Sequence, residues 1–251
     1  MAVKALLFDQ DGVIVDTERH GHRTAFNNAF KAKDLDIYWD EKEYYSLLRV
    51  GGGKERLKLY FAEQKEYKNM SADELSSFTA DLHARKTLEF IKIIRNKGLP
   101  LRSGIRRLMK EAQAAKIPVA VCTTSNEQNT RAILNTLLPE INVSLILAGD
   151  CVKNKKPDPE IYLKAVSLLK IAPEEGLVIE DSNIGTTAAK KAGLNVTATL
   201  TDYTYEEDMQ NADLVLSSLG DKTEPVKIIK ADRRFKPGNE VHLKDLLDYF
   251  K

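Results

Sequence analysis

The sequence predicts an α/β fold, a Rossmann-like parallel sheet core with an α-helical domain inserted near its start. Three observations carry this. Short apolar runs without alternation stop abruptly at polar turn residues, as strands buried on both faces do. Helical apolar periods lie between several of these runs, and alternating strands and helices imply a parallel sheet covered on both sides. The stretch 16–98 contains no such run, although only a short crossover is expected there.

The first strand covers 3–8 and stops at Asp9-Gln10-Asp11-Gly12. The stretch 16–98 holds helical segments, one of them opened by the capping box Ser71-Ala72-Asp73-Glu74. It is expected to form the inserted domain, with 1–15 and 99–251 forming the core. Ile105, Leu108, Met109 and Ala112 follow a helical period, and a strand over 119–122 ends at Thr123-Thr124-Ser125-Asn126. A strand over 145–147 precedes Ala148-Gly149-Asp150. Ile161, Ala165, Leu168 and Leu169 form the apolar face of the next helix. A strand over 177–179 ends at Glu180-Asp181, and a helix from about 183 stops near Gly193. Weaker strands are expected over 196–200 and 214–216. The tail after Gly220 is basic and contains Pro225 and Pro237. It ends in an amphipathic stretch with Leu246, Leu247, Tyr249 and Phe250, expected to pack on the core edge without chemistry.

Composition narrows the function classes. With 251 residues, 43% apolar and 30% charged, the chain supports a sizeable core with an insertion and is not disordered. A net charge of +1 creates no field toward nucleic acid or anionic membrane, so neither partner is expected. Cys122 and Cys151 form no C-x-x-C, which excludes a zinc ribbon or disulfide scaffold. No apolar run approaches the roughly 18 residues of a membrane span. The N-terminus does not read as a signal peptide, and a reducing, cytoplasmic setting is expected. A monomer is expected.

Right-handed crossovers bring the strands' carboxyl ends to one edge of an open parallel sheet, where ligands bind. Asp9, Asp11, Glu180 and Asp181 gather there with Thr123, Thr124, Ser125 and Asn126. At roughly 4 Å and an effective dielectric of about 20, two carboxylates repel by about 4 kcal/mol. Such a set calls for a cation, and all-oxygen ligands select Mg²⁺ before Ca²⁺. The hydroxyls suit a phosphate, and Lys156 adds positive charge. Each feature alone has an ordinary reading as a solvated turn or surface lysine. Their order, each at its own strand end, does not.

Phe8-Asp9-Gln10-Asp11-Gly12-Val13, the strand end at Thr123, Lys156-Pro157-Asp158-Pro159 and Ile179-Glu180-Asp181-Ser182 resemble the four motifs of the haloacid dehalogenase superfamily of phosphotransferases. The resemblance implies that Asp9 takes the phosphoryl group. It implies that Asp11 protonates the leaving group and then deprotonates water. Mg²⁺ would be held by Asp9, the Asp11 carbonyl, and one or both of Glu180 and Asp181, with Thr123 and Lys156 on the transferring phosphate. The insertion resembles that superfamily's helical cap. Dehalogenases of the superfamily lack an acid at the position of Asp11, which favours phosphate esters over halides.

Val50-Gly51-Gly52-Gly53-Lys54-Glu55-Arg56 is not a P-loop, but glycines ahead of a helix expose backbone N–H groups to an anion. This segment is similar to the cap of the Rubisco-associated xylulose-1,5-bisphosphate phosphatases. So are Glu18, His22-Arg23, Phe26-Asn27, Trp39-Asp40, Glu43-Tyr44, Leu47-Leu48, Lys86-Thr87, Glu89-Phe90 and, in the core, Asp181-Ser182 and Tyr203-Thr204. That resemblance implies a sugar bisphosphate substrate. Gly52, Gly53 and Lys54 would lie near its distal phosphate, with Gly51 and Arg56 beside them. Glu18, His22 and Lys86 would face the sugar. Ser103, where Pro is expected, and Gln10, between the two aspartates, depart from the pattern. The alternatives are a β-phosphoglucomutase-like mutase, a Schiff-base lysine at Lys54 or Lys86, and a sugar-phosphate sensor without catalysis.

Overall fold

A computed structural model describes residues 3–50, 52–67, 69–97 and 99–251. The strands are β1 (Ala5–Phe8), β2 (Val119–Thr123), β3 (Leu145–Ala148), β4 (Gly176–Glu180), β5 (Asn195–Thr199), β6 (Leu214–Leu216) and β7 (Ile228–Lys230). They form one sheet in the order β3-β2-β1-β4-β5-β6-β7, parallel except for the antiparallel β7. Phe8 pairs with both Val121 and Ile179. The chain after β1 therefore leaves the sheet between the ends of β2 and β4, and the three polar clusters meet there.

Alternate residues of β1 serve opposite faces. Leu6 and Phe8 join one core cluster, Ala5 and Leu7 the other. The helices after β1 and before β2 are α1 (Arg23–Ala32), α2 (Glu41–Leu47), α3 (Gly53–Glu63), α4 (Ala72–Lys97) and α5 (Ile105–Ala114). The expected capping box forms: Ser71 N donates to Glu74 Oε2 at 2.8 Å and Glu74 N to Ser71 Oγ at 3.2 Å. Ile105, Leu108, Met109 and Ala112 form the buried face of α5. Then follow α6 (Glu127–Leu137), α7 (Glu160–Leu169), α8 (Asn183–Lys191) and α9 (Leu243–Tyr249).

Among the described residues, 16–98 contains no named strand. It has its own aromatic core. Trp39 is fully buried, with ring centroids 4.8 Å from Phe26 and Phe30 and 6.0 Å from Tyr44. The Asn27 side chain brackets the Trp39 backbone, accepting from its N–H at 2.8 Å and donating to its carbonyl at 2.9 Å. The chain returns toward the sheet where Leu101 bridges Val15.

Two sequence expectations need adjustment. On α7 the buried face is Ile161, Tyr162, Ala165 and Val166, whereas Leu168 is 54% exposed. Leu168 stands one residue before the helix end and turns outward; Tyr162 takes the inner position. The tail contributes the short strand β7, whose exposed Ile228 and Ile229 gave no burial pattern to read. It does pack on the core edge. Arg107 Nη2 donates to the carbonyls of Leu219, Gly220 and Val241, and Glu111 accepts from Leu243 N at 2.7 Å. Gly193, at φ +83, follows α8 as expected. Among the described residues no helix is long and apolar enough to cross a membrane.

Candidate active site

Lys156 organises the carboxyl edge. Its Nζ donates to Asp9 Oδ1 at 2.8 Å, Glu180 Oε1 at 2.6 Å and the Cys122 carbonyl at 2.9 Å. Tyr162, whose ring centroid lies 4.9 Å from that Nζ, donates its hydroxyl to Glu180 Oε1 at 2.9 Å. Glu180 Oε2 accepts from Asp181 N at 3.0 Å. Both Glu180 oxygens are thus engaged, while no described residue donates to the Asp181 carboxylate. Two glycines give these carboxylates room. A Cβ on Gly185 would stand 1.9 Å from Glu180 Oε1, and one on Gly12, at φ +82, 2.0 Å from Asp181 Oδ2.

Asp9, Glu180 and Asp181 bring carboxylate oxygens within 4.8 Å of one another, all buried. Burial pushes the Asp9 carboxyl up to about 7; Lys156 opposes this, and Glu180 and Asp11 add to it. Burial, then Glu180 and Asp9, push Asp181 well above the carboxylate range. One lysine does not neutralise three buried carboxylates. An all-oxygen set with this excess of negative charge fits a hard divalent cation of the Mg²⁺ type. Cys122 lies beneath Lys156, and burial pushes its thiol up to about 12, which leaves it unreactive.

Asp11 takes a different set of partners. Its carboxylate accepts from the hydroxyls of Thr17 and Ser125, and His22 Nε2 lies 3.0 Å away. Burial raises its carboxyl, but His22 and these hydroxyls outweigh that and hold it well below the usual range. Behind His22, its Nδ1 lies 2.8 Å from Lys86 Nζ, which sits over the rings of Phe26 and Phe90. Burial pushes Lys86 down to about 8 and His83 down to about 3.

These groups surround a cavity of about 320 Å³. Asp9, Asp11, Thr123, Thr124, Lys156, Glu180 and Asp181 line it from the sheet edge. Glu18, Leu48, Arg49, Gly52 and Arg56 line it from 16–98. Glu18 accepts from Tyr44 Oη, which accepts from Arg56 Nη1 at 2.9 Å. A small adjoining pocket of about 40 Å³ is lined by His22, Gly53, Lys86, Ser125 and Asn126 among others. Asn126 also caps α6, accepting from Gln128 N at 2.8 Å. Lys54 does not line the main cavity; its Nζ pairs with Asp150 Oδ2 at 2.5 Å. Gly51 lies outside the described residues. Gln10 is fully buried behind the site, and Ser103 donates to Glu224 at the surface.

Sequence reasoning missed Arg49, Asn183 and Glu207 on the cavity wall and Tyr162 beneath Glu180. Arg49 adjoins the glycine segment and was legible as a cation next to it. Tyr162 looked like an ordinary helical aromatic.

The fold and site together define an α/β enzyme with an acidic, lysine-braced centre at the carboxyl edge of its sheet. The sequence pattern of the haloacid dehalogenase-like hydrolases matches residues 3–193, and the chain belongs to that family. It is 46% identical to a CBBY-like protein of Arabidopsis thaliana over 224 residues, covering 88% of this chain and 70% of that protein. A crystal structure of a mutant CbbY from Rhodobacter sphaeroides, in complex with xylulose-1,5-bisphosphate, superposes with a TM-score of 0.78 at 38% identity, covering 86% of this chain and 94% of that one. β-Phosphoglucomutase of Clostridium difficile superposes with a TM-score of 0.69 at 26% identity, covering 86% and 91%.

Proposed function

We propose that this chain is a Mg²⁺-dependent phosphatase that hydrolyses xylulose-1,5-bisphosphate through a phosphoryl group carried on Asp9. It is a sugar-phosphate phosphatase of the hydrolase family to which it belongs. The observation that carries the finer reading is the Asp9 carboxylate, held against Lys156 beside Glu180 and Asp181 at the floor of a cavity roofed by Glu18, Arg49 and Arg56. Residues 1–15 and 99–251 form the core in this reading, and 16–98 the helical cap.

Asp9, the Asp11 carbonyl, and one or both of Glu180 and Asp181 would hold Mg²⁺. The ion supplies charge neutralisation on the transferring phosphoryl oxygens. Asp9 attacks phosphorus, and the ester P–O bond breaks. The departing sugar oxygen takes its proton from Asp11. Water then attacks the phosphorus of the aspartyl phosphate, the Asp9–phosphorus bond breaks, and Asp11 takes the water proton. The hydrogen bonds around Asp11 favour its carboxylate, which suits this second half. For the first half Asp11 must carry a proton, which the second half returns to it from water, and His22 Nε2 lies 3.0 Å from the same carboxylate. Thr123 and Lys156 receive the phosphate oxygens, and Thr124, Ser125 and Asn126 line the approach.

The roof carries the substrate reading. A bisphosphate needs a second anion site, and Arg49 and the Gly52 end of α3 face the cavity from the cap side. The two cysteines are free thiols, which suits the reducing, cytoplasmic setting. The test is phosphate release from a panel of sugar mono- and bisphosphates with Mg²⁺, with an EDTA control. Xylulose-1,5-bisphosphate should give the highest kcat/KM. An isomeric sugar phosphate without free phosphate would make the enzyme a mutase instead.

A further inference from the structure

Arg102 stands where the chain re-enters the core after the cap, and its backbone N–H donates to the Ile14 carbonyl at 3.0 Å. Its guanidinium is spent on backbone carbonyls from three separate places. Nη1 donates to Gly12 O and, at 3.1 Å, to Thr199 O; Nη2 donates to Leu200 O at 2.6 Å and Ser217 O at 3.0 Å. Thr199 ends β5 and Ser217 follows β6, so one side chain ties the loop after β1 to the carboxyl ends of two strands.

The Gly12 carbonyl is the significant acceptor. Gly12 N donates to Val15 O at 2.8 Å, so the loop is pinned on both sides of this residue. Gly12 also packs so closely on Asp181 that no side chain fits between them. Moving the Gly12 peptide moves the Asp11 carbonyl and opens the wall against which Asp181 rests. Burial lowers the Arg102 pKa, and Asp181 and Asp16 oppose that, so the guanidinium also compensates the nearest acids.

We propose that Arg102 is a positioning residue for the cation site: by clamping Gly12 to the ends of β5 and β6, it sets the Asp11 carbonyl and the Asp181 carboxylate at the spacing a divalent ion needs. The proposal rests on the cation reading of the Asp9, Glu180 and Asp181 cluster. A planar guanidinium meets four carbonyls at once. Lysine keeps the charge but offers three donors from a single nitrogen, so Arg102→Lys separates geometry from charge.

The test is titration of metal-free protein with Mn²⁺, reading the free ion by its electron paramagnetic resonance, for wild type, Arg102→Lys and Arg102→Gln. Both variants should bind about ten- to a hundredfold more weakly, the usual range for residues that support metal ligands. A purely structural role would lower the Tm and leave the Mn²⁺ midpoint in place, and that result overturns the proposal. Each variant is read on the folded fraction from gel filtration. If neither yields folded protein, Arg102 is a folding residue and the proposal also falls. If wild type itself binds no Mn²⁺, the cation reading fails first and takes this proposal with it.

Discussion

The Lys156 ammonium lies 2.8 Å from Asp9 Oδ1 and joins Asp9 to Glu180 within a buried cluster. Lys156→Ala would leave both carboxylates without their cation. Removing one partner of a buried pair costs about 3–5 kcal/mol, so thermal unfolding should shift down by several degrees. Loss of a charge aimed at the transferring group should lower kcat by about 10²–10³-fold. A variant with wild-type kcat would remove Lys156 from the chemistry.

Asp181 and Glu180 should respond differently to neutralisation. Glu180 already accepts from Lys156, Tyr162 and Asp181 N, so Glu180→Gln should chiefly disturb that network and lower stability. Asp181→Asn should chiefly raise the Mg²⁺ concentration needed for half-maximal phosphate release. EDTA should abolish activity and Mg²⁺ restore it. The check is a Mg²⁺ titration of each variant, and an unchanged midpoint in Asp181→Asn would place the cation elsewhere.

Lys86 sets a pH window. It titrates near 8 in the folded chain against 10.5 for an ordinary lysine. Between these values the unfolded chain holds more protons, so Lys86 makes stability rise with pH from about 8 to 10.5 and imposes its full penalty below 8. Asp11 and Glu18 oppose that penalty, and Arg56 adds to it. Lys86→Met should raise the Tm at pH 7 and change it little at pH 10. Its kcat/KM should fall, because His22 loses the partner 2.8 Å behind it. Equal Tm changes at the two pH values would show that Lys86 carries no burial penalty.

If the substrate is a bisphosphate, Arg49 and Lys54 are the two candidate cations for its distal phosphate. Lys54 is paired to Asp150, while Arg49 lines the cavity and lies 3.8 Å from Glu63. Arg49→Ala should lower kcat/KM for xylulose-1,5-bisphosphate about ten- to a hundredfold, the worth of a charge-assisted hydrogen bond of roughly 1.5–3 kcal/mol. A pentose monophosphate should lose little. Lys54→Ala should affect both substrates alike. A larger, bisphosphate-selective loss in Lys54→Ala would return the distal phosphate to Lys54.

The floor of this site was legible because each of its parts is contiguous in sequence and sits at a strand end. Asp9 and Asp11 follow β1, Thr123 ends β2, Glu180 ends β4 and Asp181 follows it. Six strands were legible for the same reason: buried parallel strands are short, apolar and abruptly ended. What stayed hidden depends on partners far apart in the chain. Lys54 meets Asp150 across 96 residues, Tyr162 reaches Glu180 from within a helix, and Arg102 gathers carbonyls from three separate places. No local pattern encodes such pairings. Several residues that carried the family resemblance, among them Phe26, Asn27 and Trp39, build the aromatic core of 16–98 rather than touch the cavity. β7 escaped because an exposed three-residue edge strand has no apolar period.

Acid quenching during turnover shows whether Asp9 carries the phosphoryl group. The enzyme is mixed with Mg²⁺ and radiolabelled xylulose-1,5-bisphosphate, quenched in acid within the first turnover, digested and mapped. An acid-stable, hydroxylamine-labile label is expected on the peptide that contains Asp9, absent in Asp9→Asn, which should also release no phosphate. Label on any other residue, or full phosphate release by Asp9→Asn, would contradict it.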